Sequence, residues 1–282
     1  MSRGFRFSPG GQATLLRLDE LLQDAYGAPE GLLGNHADPI DEAVYIILSF
    51  QTDLPRFQET WRELRAAFPK WEEVERASRC AVARALRAGG LHQQKARTIK
   101  ALLRAVRCQF GELSLTQLAG MSNERAERIL TRLPGLSWKG ARCVLMYSLD
   151  RQVFPVDGNT FRILQRAGVI PFTTVYRRRP LHDGLQYAVP ENRRKPFHVN
   201  LVVHGQRSCF PILPQCDSCP AAAICRKRGV RLRRHAKTTL QRDYERTNGE
   251  EGERPDQLQA EMIGQTRSEL QLFEGQNAAA TG

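Results

Sequence analysis

Four cysteines, Cys209, Cys216, Cys219 and Cys225, fall within seventeen residues at the spacing Cys-x6-Cys-x2-Cys-x5-Cys. Thiolates that close repel one another, or oxidise, unless a metal binds them. Tetrathiolate sets hold either Zn²⁺ or an iron–sulfur cluster. Zinc sites usually pair two Cys-x2-Cys knuckles, and only one such pair is present here. The wider gaps suit a larger object.

A second set lies upstream. Leu133-Pro134-Gly135-Leu136-Ser137-Trp138-Lys139-Gly140-Ala141 reads as a tight turn entering a helix. Pro134 fixes φ, Gly135 permits positive φ and Ser137 is a natural N-cap. Ala126, Ile129, Leu130 and Leu133 form an apolar stripe before the turn, and Ala141, Val144, Leu145 and Leu149 form one after it. That pattern is helix, hairpin, helix. Amides at such a turn, around Gly135 and Ser137, make an anion site suited to nucleic-acid phosphate. The plainer alternative is a turn that only joins two helices.

Lys139 stands in the first helical turn, with Arg142 three residues on. The helix dipole and the neighbouring cation both disfavour an ammonium. A Schiff-base nucleophile must be neutral to attack, so Lys139 is read as a nucleophile. A phosphate-binding lysine is the alternative. Asp157 follows Pro155-Val156 and opens another short helix ending at Gly168. It is expected as an N-cap and as a carboxylate facing Lys139.

The elements that must position these residues are helical. Leu15, Leu16, Leu18, Leu21 and Leu22 predict an N-terminal helix within an arm, 1–37, expected to pack on the lobe that holds the four cysteines. From 38 to 150 apolar stripes recur at helical spacing, punctuated by Gly, Pro and Asn, which predicts about six helices. No period-2 alternation marks a sheet. Cys80, Cys108 and Cys143 lie within these patterns and read as inert core thiols. Residues 151–235 carry further helices and the four cysteines, and 236–282 read as a polar, disordered tail with a weak amphipathic segment near 256–274. The runs Arg177–Arg179 and Arg193–Lys195 read as solvated loops, with phosphate contact the alternative. His204 is expected as a hydrogen-bonded structural residue.

The net charge is +12 and the pI near 9.8. The tail holds five basic and nine acidic residues, which leaves 37 and 21 in the body. A body that basic implies a polyanionic partner. No apolar run approaches membrane-spanning length, and no secretory pattern opens the chain. A cytoplasmic or nucleoid-associated monomer is therefore expected.

Leu-Pro-Gly-x-x-x-Lys at 133–139, Val156-Asp157-x-Asn159 and the cysteine spacing together resemble the endonuclease III family of helix-hairpin-helix DNA glycosylases. The resemblance covers about residues 40–228. It implies an all-α fold of two helical lobes with a C-terminal [4Fe-4S] loop on Cys209, Cys216, Cys219 and Cys225. It also implies Lys139 as the nucleophile at C1′ and Asp157 as its carboxylate partner. By the same resemblance Gln51 fills the gap left by an extruded base, and Leu91, after Gly89-Gly90, wedges the stack. A leucine packed inward behind a helix end is the alternative for Leu91. The implied activity is a glycosylase with AP lyase action on duplex DNA carrying damaged bases, oxidised pyrimidines foremost, or abasic sites. Two features depart from the family: Ser137 replaces the second hairpin glycine, and Gly140 replaces the threonine after the lysine. The alternatives are an adenine-mismatch glycosylase, disfavoured by Ile46 and Lys139 where that family carries glutamate and serine, and a non-catalytic DNA-binding protein.

Overall fold

The computed structural model describes residues 5–31 and 33–230. The expected acidic tail, the basic stretch Arg231–Arg234 and the segment near 256–274 lie outside the described residues. Every regular element among the described residues is helical.

Caps and stripes account for the helix boundaries. Asp38 accepts from the amides of Ile40 and Asp41 and opens α2 (Pro39–Leu48), with Pro39 in its first turn. Asp53 caps α3 (Leu54–Ala67). Glu73 reaches back to the amide of Lys70 at α4 (Trp71–Arg76), and Ser78 caps α5 (Arg79–Ala85). The segment 38–150 thus holds seven α-helices, against the six or so expected. The long α6 (His92–Phe110) buries Ile99, Leu102, Leu103 and Val106. The helices α7 (Asn123–Leu130) and α8 (Trp138–Ser148) flank the hairpin.

One apolar core gathers Val44, Ile47, Leu48, Ile99, Leu102, Val144 and Leu145 from α2, α6 and α8. A second core gathers Leu15, Leu18 and Leu22 of α1 (Gly11–Tyr26) with residues of three later helices. These are α9 (Gly158–Ala167), α10 (Arg179–Ala188) and α11 (Arg194–Arg207). Cys209, Cys219 and Cys225 pack against this second core, so the N-terminal helix and the cysteine loop share it.

Buried charges tie the helices together. Arg142, 1% exposed, donates to Glu127 (3.1 Å), Asp183 (2.5 Å) and the carbonyl of His182 (2.7 Å), which joins α7, α8 and α10. Arg193 bonds both oxygens of Asp19 on α1. Arg194 donates to the carbonyls of Gln152, Gln186 and Val189. Arg193 and Arg194 are thus internal bracing, whereas Lys195 pairs with Asp150 at the surface. Cys80 and Cys108 are exposed, against the expectation of core thiols, because they fall off the buried stripes of α5 and α6.

Candidate active site

A cavity of about 980 Å³ receives Lys139, Asp157, Gln51, Leu91, Gly135 and Ser137 along its walls. Six of the residues expected to act on or hold DNA therefore border one space.

The hairpin forms one edge. Gly135 adopts φ +85°, and a Cβ there would sit 2.4 Å from Thr98 Cγ2 and 2.9 Å from Ile47 Cδ1. Only glycine meets both conditions. Ser137 is extended (φ −98°) and its hydroxyl caps the amide of Gly140. That backbone needs no glycine, so Ser137 costs the hairpin nothing. A Cβ on Gly140 would press on Leu136 Cδ2 at 3.3 Å and Ile46 Cγ2 at 3.4 Å. The bare residue lets α8 lie close along α2.

Lys139, Cys143 and Tyr147 follow one another at i, i+4 and i+8 down the cavity face of α8. Asp157 opposes them as the N-cap of α9. Its carboxylate accepts from the amide of Thr160 (2.7 Å) and from Asn159 Nδ2 (3.2 Å). Burial alone would raise the Asp157 pKa, but His198, Lys139 and the Thr160 bonds lower it, so Asp157 stays ionised. Burial also works against the Lys139 ammonium. Cys143, Asp157 and Glu42 outweigh it, and the Lys139 pKa is raised. The expectation of a neutral resting amine is therefore corrected. Arg142, expected to repel the proton, turns away into its own carboxylates.

Glu42 on α2 is 0% exposed and also borders the cavity. Its oxygens accept from Asn35 Nδ2 (2.7 Å) and the amide of His36 (2.8 Å). Burial raises its pKa to about 7 against those bonds and the Lys139 charge. Cys143, read from sequence as inert core, is buried yet borders the cavity, and burial pushes its thiol to about 12. His198 donates from Nδ1 to the carbonyl of Pro155 (3.0 Å), and burial takes its pKa to about 4, leaving it neutral. Glu42, Cys143, Tyr147 and His198 were missed in the sequence. The i, i+4, i+8 spacing of Lys139, Cys143 and Tyr147 was the available signal.

Gln51 and Leu91 stand at the rim with φ of +52° and +47°. Left-handed backbone costs a non-glycine residue on the order of 1–3 kcal/mol, and it persists where surrounding contacts impose it. Leu91 is 46% exposed, which rules out the inward-packed alternative.

The four cysteines of the second set border one small cavity beside Arg166 and His204. Arg166 Nη1 lies 3.4 Å from Cys209 Sγ, and the amide of Lys227 lies 3.4 Å from Cys225 Sγ. Among the described residues no three His, Cys, Asp or Glu side chains converge on a point fit for a single metal ion. Four thiols around a shared space form a donor set suited to thiolate metal chemistry. His204 bonds Tyr26 Oη (2.9 Å) and contacts Cys219 Sγ (3.7 Å) as a structural residue.

Residues 44–178 match the family model for HhH-GPD superfamily base excision DNA repair proteins. That segment, a little under half of the chain, is similar to this superfamily. The likeness in fold extends beyond the matched segment. An endonuclease III–DNA complex aligns over 82% of this chain and 98% of its own at a TM-score of 0.65 and 20% identity. An Arabidopsis thaliana protein provisionally named a DNA glycosylase is 33% identical over 59% of this chain and 56% of its own length. The DNA glycosylase/AP lyase ROS1 of Arabidopsis thaliana is 25% identical over 55% of this chain and 12% of its own. Endonuclease III of Buchnera aphidicola is 30% identical over 40% of this chain and 51% of its own. The chain therefore spans little more than half of these relatives at most.

Proposed function

We propose that this protein is a bifunctional DNA glycosylase and AP lyase that removes damaged pyrimidines from duplex DNA. The observation that carries the reading is the meeting of Lys139 and Asp157 in one cavity whose edge is the hairpin. Hairpin amides and the basic body grip the duplex, and the target nucleotide is extruded into the cavity. Gln51 and Leu91 enter the gap it leaves.

Lys139 must first give up its proton. Glu42, poised near neutrality and facing the Lys139 charge, is the acceptor. The amine then bonds to C1′ while the glycosidic bond breaks and its electron pair leaves with the base, which takes a proton from solvent. Ionised Asp157 stabilises the positive charge that develops on the sugar. Ring opening gives the Schiff base. Loss of a C2′ proton then expels the 3′ phosphate by β-elimination and cuts the strand.

Cys209, Cys216, Cys219 and Cys225 hold a [4Fe-4S] cluster in this reading, and the cluster supplies a structural brace. The carbonyl of Cys209 accepts from Arg162, which also bonds Asn159, the partner of Asp157. The cysteine loop thus buttresses the helix start that presents the carboxylate. The adenine-mismatch alternative finds no support in the site, because the position of its glutamate is Ile46, a residue of the first core.

The test is a set of duplexes, each with one defined lesion, incubated with the protein under single-turnover conditions. Base release and strand cleavage are expected on oxidised pyrimidines. Base release without cleavage would remove the lyase step, and salt-sensitive binding without either would favour a non-catalytic binder.

A further inference from the structure

Gln51 and Leu91 come from loops forty residues apart in sequence, and both hold backbone conformations their side chains do not favour. The cause lies between them. Lys95 on α6 is 3% exposed, and its ammonium has three donors, all directed at these loops. It donates to the carbonyl of Leu48 (2.8 Å) at the end of α2, to Thr52 Oγ1 (2.6 Å) beside Gln51, and to the carbonyl of Gly89 (2.8 Å), two residues before Leu91. Thr52 Oγ1 in turn donates to the same Gly89 carbonyl (2.8 Å). No carboxylate pairs with Lys95 among the described residues. A buried ammonium held only by neutral oxygens costs free energy to desolvate, so such a residue is informative.

We infer that Lys95 is a positioning residue that locks the Gln51 and Leu91 loops into one rigid unit, so that filler and wedge enter the duplex together. The inference rests on the proposed glycosylase reading. Lys100 supplies an internal control. It also buries an ammonium on three carbonyls, those of Val74, Glu75 and Ala77, but it closes the end of α4 and does not border the cavity.

The test compares borohydride trapping on an abasic site in duplex and in single-stranded DNA, since a single strand has no stack to wedge and no orphan base to replace. Lys95→Met is expected to lower duplex trapping about tenfold or more, as misplaced groups do. Its single-strand trapping should stay within about twofold of the parent. Lys100→Met should leave the ratio of the two unchanged. Adding Gln51→Ala and Leu91→Ala to Lys95→Met should bring little further loss, because all three act through one unit. Thr52→Val, which removes one link, should give the same pattern in weaker form if Lys95→Met does not fold. Equal loss on both substrates, no change in the ratio, or fully additive losses would overturn the inference. Absence of trapping by the unaltered protein on either substrate would instead overturn the glycosylase reading.

Discussion

Lys139, Asp157 and Glu42 divide the acid–base work by environment. Asp157 is held below the usual carboxylate range and Glu42 is lifted to about 7, so at neutral pH one is fixed and the other can exchange a proton. A carboxyl raised from its ordinary 4.5 stabilises the fold fully below that pH, and the contribution is lost as pH rises through about 7. The difference is on the order of 3 kcal/mol. Thermal melts of Glu42→Gln against the parent should therefore shift in favour of the variant between pH 5 and pH 8; a constant offset would contradict the raised pKa. The lost hydrogen bond to Asn35 or His36 contributes equally at both pH values, so the pH dependence isolates the charge. In trapping assays the parent rate should climb with pH and break near 7, and Glu42→Gln should remove the break. Asp157→Asn keeps the cap on Thr160 but not the charge. It should lower base excision about 10²-fold or more with little change in melting temperature. The placing of Lys139 and Asp157 was legible because each stands at a helix start marked by its turn and cap. The protonation state of Lys139 was not, because it depends on Glu42, which lies nearly one hundred residues upstream, and on Arg142 turning away.

At the scale of the element, the hairpin and its flanking helices were readable from caps and stripes alone. Ser137 and Asp157 cap where sequence spacing places them. The exposure of Cys80 and Cys108 was not readable, since a cysteine carries no sign of which face it occupies. The joint held by Arg142 was hidden, as its partners come from two other helices. Breaking it leaves buried Glu127 without its cation. Arg142→Ala is expected to cost about 3–5 kcal/mol in chemical denaturation. A loss below about 1 kcal/mol would mean that the network relaxes or hydrates freely.

For the whole molecule, two cores carry the two residues proposed to react. The first core carries α8 with Lys139, and the second carries α9 with Asp157. The cysteine loop packs on the second core and bonds back to Arg162 and Arg166. Purified protein is accordingly expected to contain iron and inorganic sulfide in equal amounts. Cys216→Ala should lose the iron and lower the melting temperature, whereas stoichiometric zinc in the parent would contradict the cluster. The expectation of two lobes rested on family resemblance. The sharing of the second core by α1 and the cysteine loop rested on family resemblance, because contacts across some two hundred residues leave no local pattern.

The central claim concerns one covalent bond. Protein incubated with an abasic duplex and borohydride should give a single reduced adduct, and tandem mass spectrometry of its digest should place the sugar on Lys139. Lys139→Gln should give none. An adduct on another lysine, or undiminished trapping by Lys139→Gln, would contradict the account.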